Sequence, residues 1–272
     1  MDRLAVVFEL LGRPTPYAMR VLGVALVVVA IGASTALVSA GTVADDALYS
    51  VKTTSEQMRL ALASSPEDRA IVELSIAEHR LAEATALATL GDEDNAIVAT
   101  SEYGEHMANA AAELAQVEAL QPETALLVIQ LQQRIDEHRA TAAAVVARLA
   151  DDPNRAAAAA ALSAVAVRGA RETNLSPAAA IAEDAADTAD EAASVAERMA
   201  AQARSTDAPS ASSGTDGKAT SETDTTTVRG GEVTKKERAA EVARKAADEA
   251  RAAAKKAKEG SRRTPTPAPR HR

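Results

Sequence analysis

The chain has 272 residues and a net charge of −9, with no cysteine, no tryptophan, one phenylalanine and three tyrosines. Without cysteine there is no lipobox, no disulfide and no thiolate chemistry, so an exported domain must hold itself together by packing alone. The 47% hydrophobic content is mostly alanine, which favours helix but buries little area. A thick globular core is thereby excluded in favour of long helices in modest contact.

Residues 1–20 form a short N-terminal segment carrying Arg3, Arg13 and Arg20. The next 24 residues, Val21 to Ala44, hold no charge. A run of that length spans the hydrocarbon core of a bilayer as a helix. Its second half is diluted by Gly, Ser, Thr and Ala, which leaves a second reading. In that reading Val21 to Leu37 is the apolar region of a signal peptide cleaved after Ala40, and the chain is secreted. The long leading segment, and an uncharged run that continues past Ala40, favour an uncleaved signal anchor. Arg3, Arg13 and Arg20 on one flank outnumber Lys52 and Arg59 on the other. This predicts an N-terminus inside and residues 45–272 outside the cell membrane.

Helix signals then follow in order. Leu48, Val51, Ser55, Met58 and Leu62 stand at helical spacing. Ser65 is an N-cap for the next helix, with Pro66 at its first position and Asp68 in its first turn. Ala70, Leu74, Ala77, Leu81, Ala84 and Ala88 mark its seam, and Gly91 ends it. A third helix over about 94–120 carries Ile97, Gly104, Met107, Ala111 and Leu114. Pro122 opens a fourth with Val128, Leu131, Ile135, Ala142, Val145 and Leu149. Asp152 and Pro153 restart the chain into a poly-alanine helix that reaches Arg168 and stops at Gly169. Ser176 and Pro177 start another, with Ile181, Ala185, Thr188, Ala192, Val195 and Met199 as its seam.

The predicted fold is all-α. A single transmembrane helix (21–44) leads to an antiparallel, up-and-down helical bundle (45–150) and an alanine-rich helical extension (151–204). Residues 205–230, rich in Ser, Thr, Gly and Asp, read as a disordered linker. The rest, 231–272, reads as a basic tail. In it Thr234 and Glu237 form a capping box and start a partly formed helix to about Lys258. Val242 is the tail's lone large apolar residue, so this helix is expected to pack weakly. The proline-rich end beyond Arg262 reads as disordered.

Charge is segregated along this order. Residues 45–228 hold 13 basic and 31 acidic side chains, whereas 229–272 hold 14 basic and 6 acidic. The tail cations Lys235, Lys236, Arg244, Lys245, Arg251, Lys255, Lys256, Lys258, Arg262 and Arg263 are the strongest functional lead. Outside the cell they suit anionic cell-wall polymers or lipid headgroups. Inside, they suit unspecific nucleic-acid contact, since no aromatic platform exists to read bases. A third reading folds the tail back on the acidic body.

Three Glu–His pairs, Glu78–His79, Glu105–His106 and Glu137–His138, use residue types found in bundle metal sites. His79 and His106 fall off their seams, and only His138 lies on one, where a polar residue fixes register. Glu183, Asp184, Asp187, Asp190 and Glu191 form an acidic cluster without the glycine of a calcium loop, and read as a solvated face. No nucleophile–base pair, phosphate loop or zinc spacing is present in the sequence. Neither catalysis nor a cofactor is expected.

The residues after the uncharged run are Asp46, Leu48, Tyr49, Lys52 and Glu56, then Leu60 and Leu62. Farther on come Pro66, Glu67, Arg69 and Ala70, then Leu74, Ala77, Glu78, Arg80, Leu81, Glu83 and Ala84. Over about 43–150 this resembles a domain family of unknown function from actinobacterial membrane proteins. There a Gly-Asp-x-Leu-Tyr-Pro-x-Lys motif follows a single membrane helix, and an Ala-Glu-x-Arg-Leu-x-Glu-Ala helix comes later. Here Ser50 stands at the proline position, and Ala44-Asp45 replaces a preceding Pro-Gly. Some relatives carry an anti-sigma-factor-like cytoplasmic region, for which 20 leading residues are too few. The resemblance implies tethering and a helical exterior domain. Tyr49 suits an interface, and Lys52 and Glu56 are spaced to pair.

The functional expectation is a non-catalytic adaptor or sensor that meets the envelope or another helical protein. The alternative is a cytoplasm-facing, anti-sigma-like regulator or an unspecific nucleic-acid-binding tail.

Overall fold

The computed structural model describes residues 46–117, 122–167, 176–207 and 223–263, with side chains over 54–116, 125–167, 176–206 and 231–261. Every regular element among them is helical: α1 (Asp46–Leu62), α2 (Pro66–Leu90), α3 (Glu93–Val117), α4 (Pro122–Leu149), a 3-10 turn (Pro153–Arg155), α5 (Ala156–Ala166), α6 (Pro177–Asp207) and α7 (Thr223–Arg263). Over the described residues the protein is all-helical, a multi-helix bundle. Among the described residues no helix is long and apolar enough to cross a membrane. The expected span at 21–44 lies outside the described residues.

The chain divides at Ser55 into two compact units. The described part of the first is the N-terminal turns of α1. The second, from Glu56, holds the bundle.

Helix ends form where the sequence places stop and start signals. The Ser65 hydroxyl accepts the Asp68 N–H at 3.0 Å, and Pro66 sits at the first turn of α2. Gly91 closes α2 with φ of 82°, a left-handed conformation that glycine takes without Cβ strain. Asp152 accepts the Asn154 N–H at 2.9 Å and Ser176 the Ala179 N–H at 3.3 Å, each just before a proline. The poly-alanine helix α5 ends at Ala166 with Val167 extended, short of the expected Arg168, and Arg168 and Gly169 lie outside the described residues.

The core is built from alanine. On α2, Ala70, Ala77, Leu81, Ala84 and Ala88 are buried, as their spacing implies. On α3, Ile97, Met107, Ala111 and Leu114 are buried, as are Val128, Leu131, Ile135, Ala142 and Leu149 on α4. The α3 helix is central and packs against α2, α6 and α7, while α4 lies mainly on α5 and α2. Methyl-sized side chains let helix axes approach to the short end of about 8–10 Å. Gly104 marks a close approach. A Cβ built there would stand 2.7 Å from the Ala185 carbonyl oxygen and 2.8 Å from the Ala189 nitrogen of α6.

The C-terminal third differs from the sequence expectation in four ways. The core does not end at residue 150, because α6 and α7 pack against α3 and supply many of its buried alanines. The linker expected over 205–230 is helical at both ends, since α6 runs to Asp207 and α7 starts at Thr223. The Thr234–Glu237 capping box does not form. The helix continues through both residues, Thr234 Oγ1 donates to the Gly231 carbonyl at 2.9 Å, and Glu237 lies 3.6 Å from Arg204 of α6. Finally, α7 is not weakly packed. Ala239, Ala240, Ala243, Ala246, Ala247, Ala250, Ala253, Ala254 and Ala257 are all buried. These nine at about 0.8 kcal/mol per methyl-sized group contribute on the order of 7 kcal/mol. A search for large apolar residues overlooks such a seam.

Candidate functional site

The basic helix is seated in acids that two other helices supply. Against α6 the pairs are Glu183–Lys258 (2.5 Å), Asp190–Arg251 (2.8 Å), Glu197–Arg244 (2.8 Å) and Arg204–Glu237 (3.6 Å). Each advance of one heptad along α6 meets a retreat of one heptad along α7, so the two run antiparallel in a single register. The last rung reverses its signs. Against α3 and the residue just before it the pairs are Lys235–Asp92 (3.1 Å), Lys236–Asp94 (3.4 Å) and Lys256–Glu113 (3.0 Å). Their sequence separations are 143, 142 and 143, which agree to within one residue. Thus α3 and α7 run parallel, a pairing that lies beyond the antiparallel bundle expected over 45–150.

Exposed ion pairs of this kind contribute about 0–1 kcal/mol each. The alanine seam therefore supplies most of the cohesion. A seam of identical methyl groups fits many registers almost equally well, and the ladder selects one of them. The hydrogen bond from Arg251 to Asp190 raises the guanidinium pKa further.

The acidic cluster on α6 is divided between this seat and solvent, with Asp187 and Glu191 exposed. Glu183 and Asp190 engage α7, Asp184 engages Arg139 of α4, and Glu191 pairs with Arg198 at 3.2 Å. On α7, Lys245 reaches only Glu249 of its own helix, at 3.7 Å, and it is 79% exposed. Lys255 is exposed as well. The side chains of Arg262 and Arg263 lie outside the described residues.

The three histidines do not converge. His79 Nδ1 lies 2.6 Å from the Ser75 carbonyl of its own helix. His106, expected off its seam, instead faces α2, with Nδ1 2.7 Å from Glu73 Oε2 and both side chains largely buried. His138 is buried edge-on against Tyr103, with centroids 5.6 Å apart and planes at 71°. Burial, then the nearby Arg134, lowers the His138 pKa, so the ring is neutral and its Nδ1 can accept from the Tyr103 hydroxyl 3.4 Å away. Among the described residues no group of three such side chains is placed to hold a metal ion.

Of the motif residues, Asp46, Leu48, Tyr49 and Lys52 lie in the first turns of α1, and their side chains fall outside those described. The expected Lys52–Glu56 pair is outside them too. Glu56 accepts from Arg80 Nη2 at 2.8 Å. Arg80, a surface-type residue within the motif, is 2% exposed and forms a buried ionic hub. Its Nη1 reaches Glu83 at 3.3 Å and its Nε reaches Glu102 of α3 at 2.7 Å. The available signal was its position within the Ala77–Leu81–Ala84 seam.

A carboxyl-rich patch lies between α2, α3 and α7. Burial, then a hydrogen bond and charge from Glu249 of α7, then the charges of Glu102 and Glu73, push the Glu105 pKa up to about 9. Between its ordinary value of 4.5 and about 9, the folded Glu105 keeps a proton that the unfolded chain has lost. Stability therefore falls as pH rises through that window, by at most about 1.4 kcal/mol per pH unit. His138 acts in the opposite sense and removes stability as pH drops below 6.5. Thermal melts from pH 6.5 to 9 are expected to show a falling Tm. Glu105→Gln is expected to flatten that decline while leaving the acid limb unchanged.

A cleft of about 520 Å³ opens where Glu93, Asn154, Met199, Gln202, Thr206 and Lys236 meet. Its lysine is engaged by Asp94.

These features define an alanine-cored helical bundle domain whose basic C-terminal helix is one of its own structural elements. The chain belongs to the family described as Domain of unknown function (DUF5667), which matches residues 41–263. The match passes well beyond residue 150, where the motif resemblance ended, and stops at the last residue of α7. No curated protein and no solved structure matches the chain.

Proposed function

We propose that this chain is a non-catalytic, single-pass membrane protein that presents its bundle outside the cell as an adaptor or sensor. The observation that carries this reading is an abutment. The uncharged run from Val21 to Ala44 leads directly into a family domain that begins at residue 41. A 24-residue uncharged run is long enough to span a bilayer. Arg3, Arg13 and Arg20 on its leading side support an inside N-terminus. The likeness of Asp46, Leu48, Tyr49 and Lys52 to the motif that follows a membrane helix in actinobacterial proteins adds to it. The non-catalytic role is supported by the use of the charged side chains. Arg80, Arg139, Arg244, Arg251 and Lys258 are each engaged in ion pairs that tie helices together.

The basic helix then has two faces with two roles. Its inner face joins the bundle. Lys245 and Lys255 on the outer face, with the basic residues after α7, meet anionic wall polymers or lipid headgroups. A reporter active only outside the cytoplasm, fused after Arg272, tests the sidedness. Activity is expected. A cytoplasmic signal would contradict the reading and favour the cytoplasm-facing regulator.

A further inference from the structure

We propose that Glu105 of α3 and Glu249 of α7 share one proton across the helix interface and form a latch that grips α7 more firmly as pH falls. The register of the two helices sets this pair apart. Lys235, Val242, Glu249 and Lys256 recur every seven residues along α7. Asp92, Ala99, His106 and Glu113 recur in the same way along α3 and the residue before it. The end rungs join a cation of α7 to an acid, Lys235 to Asp92 at 3.1 Å and Lys256 to Glu113 at 3.0 Å. The second level is apolar, with Val242 in register with Ala99. The third level reverses the pattern. There α7 presents an acid, and Glu249 is hydrogen-bonded to the Glu105 carboxyl. Two carboxylates are acceptors only and repel, so a hydrogen bond between them requires that one hold a proton.

The cations around the pair are engaged elsewhere. The His106 Nδ1 lies 2.7 Å from Glu73 of α2. Arg80 of α2 is held by Glu56 of α1, by Glu83 of its own helix and by Glu102 of α3. On α7, Arg251 is taken by Asp248 and by Asp190 of α6. Lys245 lies 3.7 Å from Glu249 but is 79% exposed, where water screens it. From α6, Ala185 and Ala189 border the neighbouring Gly104. Glu102 and Glu73 add negative charge that favours the proton, on top of burial. The two carboxyls titrate as one unit. The folded pair keeps a proton that the unfolded chain releases above its ordinary value of 4.5, so the grip is complete below that value and is lost as pH rises towards about 9. The latch goes beyond the adaptor reading and operates on either side of a membrane.

Glu249 is 47% exposed, so its replacement leaves the packing intact. For the full-length parent, urea denaturation between about pH 6.5 and 8.5 is expected to show the unfolding equilibrium constant rising up to about tenfold per pH unit. Glu249→Ala removes the partner and is expected to cut the rise to about threefold or less. Glu249→Lys gives the rung the sense of its neighbours. It is expected to flatten the rise and to be more stable than the parent at the alkaline end. His106→Gln is expected to keep the rise. A full rise in Glu249→Ala overturns the proposal, because burial of Glu105 alone then accounts for it. A rise lost in His106→Gln overturns it as well, because the proton then belongs to the Glu73–His106 pair. The proton is also read directly. The folded parent near neutral pH is expected to show an infrared carboxylic-acid carbonyl band that Glu105→Gln and Glu249→Lys both lack. A parent without that band has no shared proton and no latch.

Discussion

Arg80→Met is expected to destabilise the bundle by about 3–5 kcal/mol, because it removes the cation from a buried ionic cluster and leaves the carboxylates facing one another. Glu56 and Glu102 are each only 14% exposed, so water cannot take over the role of the guanidinium. For a fold of this size the loss corresponds to a fall in Tm on the order of 10 °C. Arg80→Lys should recover only part of it, since a single ammonium cannot reach α1, α2 and α3 together as the guanidinium fork does. Adding Glu102→Gln to Arg80→Met should restore some stability by removing one uncompensated charge. An Arg80→Met chain that melts with the parent would show that the cluster is solvated and idle.

The second large effect is at Gly104. Its missing Cβ is what lets α3 approach the α6 backbone at Ala185 and Ala189. Gly104→Ala is expected to cost about 1–3 kcal/mol, since the contacted atoms are backbone and cannot swing aside. Gly104→Leu should prevent the two helices from closing. The same change at Gly231 has the opposite sign. Nothing lies within 4 Å of a Cβ there. Gly231→Ala is therefore expected to stabilise α7 by about 0.5–1 kcal/mol through helix propensity alone. Chemical denaturation of the two alanine variants, read against the parent, checks both signs.

Much of the bundle is legible in the sequence because its signals are local. Ser65-Pro66 and Gly91 bracket α2, and large apolar residues at three–four spacing draw the inward faces of α2, α3 and α4. The tail is not legible by the same rule. Its inner face is alanine in a lysine-rich and glutamate-rich setting, so average hydropathy hides it. Two patterns do reveal it. Ala243, Ala247, Ala250, Ala254 and Ala257 keep a four–three repeat. The acids at 183, 190 and 197 mirror the cations at 258, 251 and 244. Both are visible only when two distant segments are compared. The Glu105–Glu249 and His106–Glu73 contacts are long-range in the same sense, and Arg80 reads as a surface residue until α1 and α3 close over it.

The family boundary gives this correction weight. A freely moving tail has no reason to share the extent of the domain, yet the family match and α7 both end at Arg263. Charge that looked like a polycation awaiting a partner is largely spent on the protein's own acids, which leaves the outer face of α7.

The basic helix is a fixed layer of the bundle. Amide hydrogen exchange across residues 239–257 of the full chain tests it most directly. Protection comparable to that of the central α3 helix is predicted, with loss of both in one cooperative step. Exchange across 239–257 at the rate of an isolated, unpacked peptide, while α3 stays protected, would contradict it.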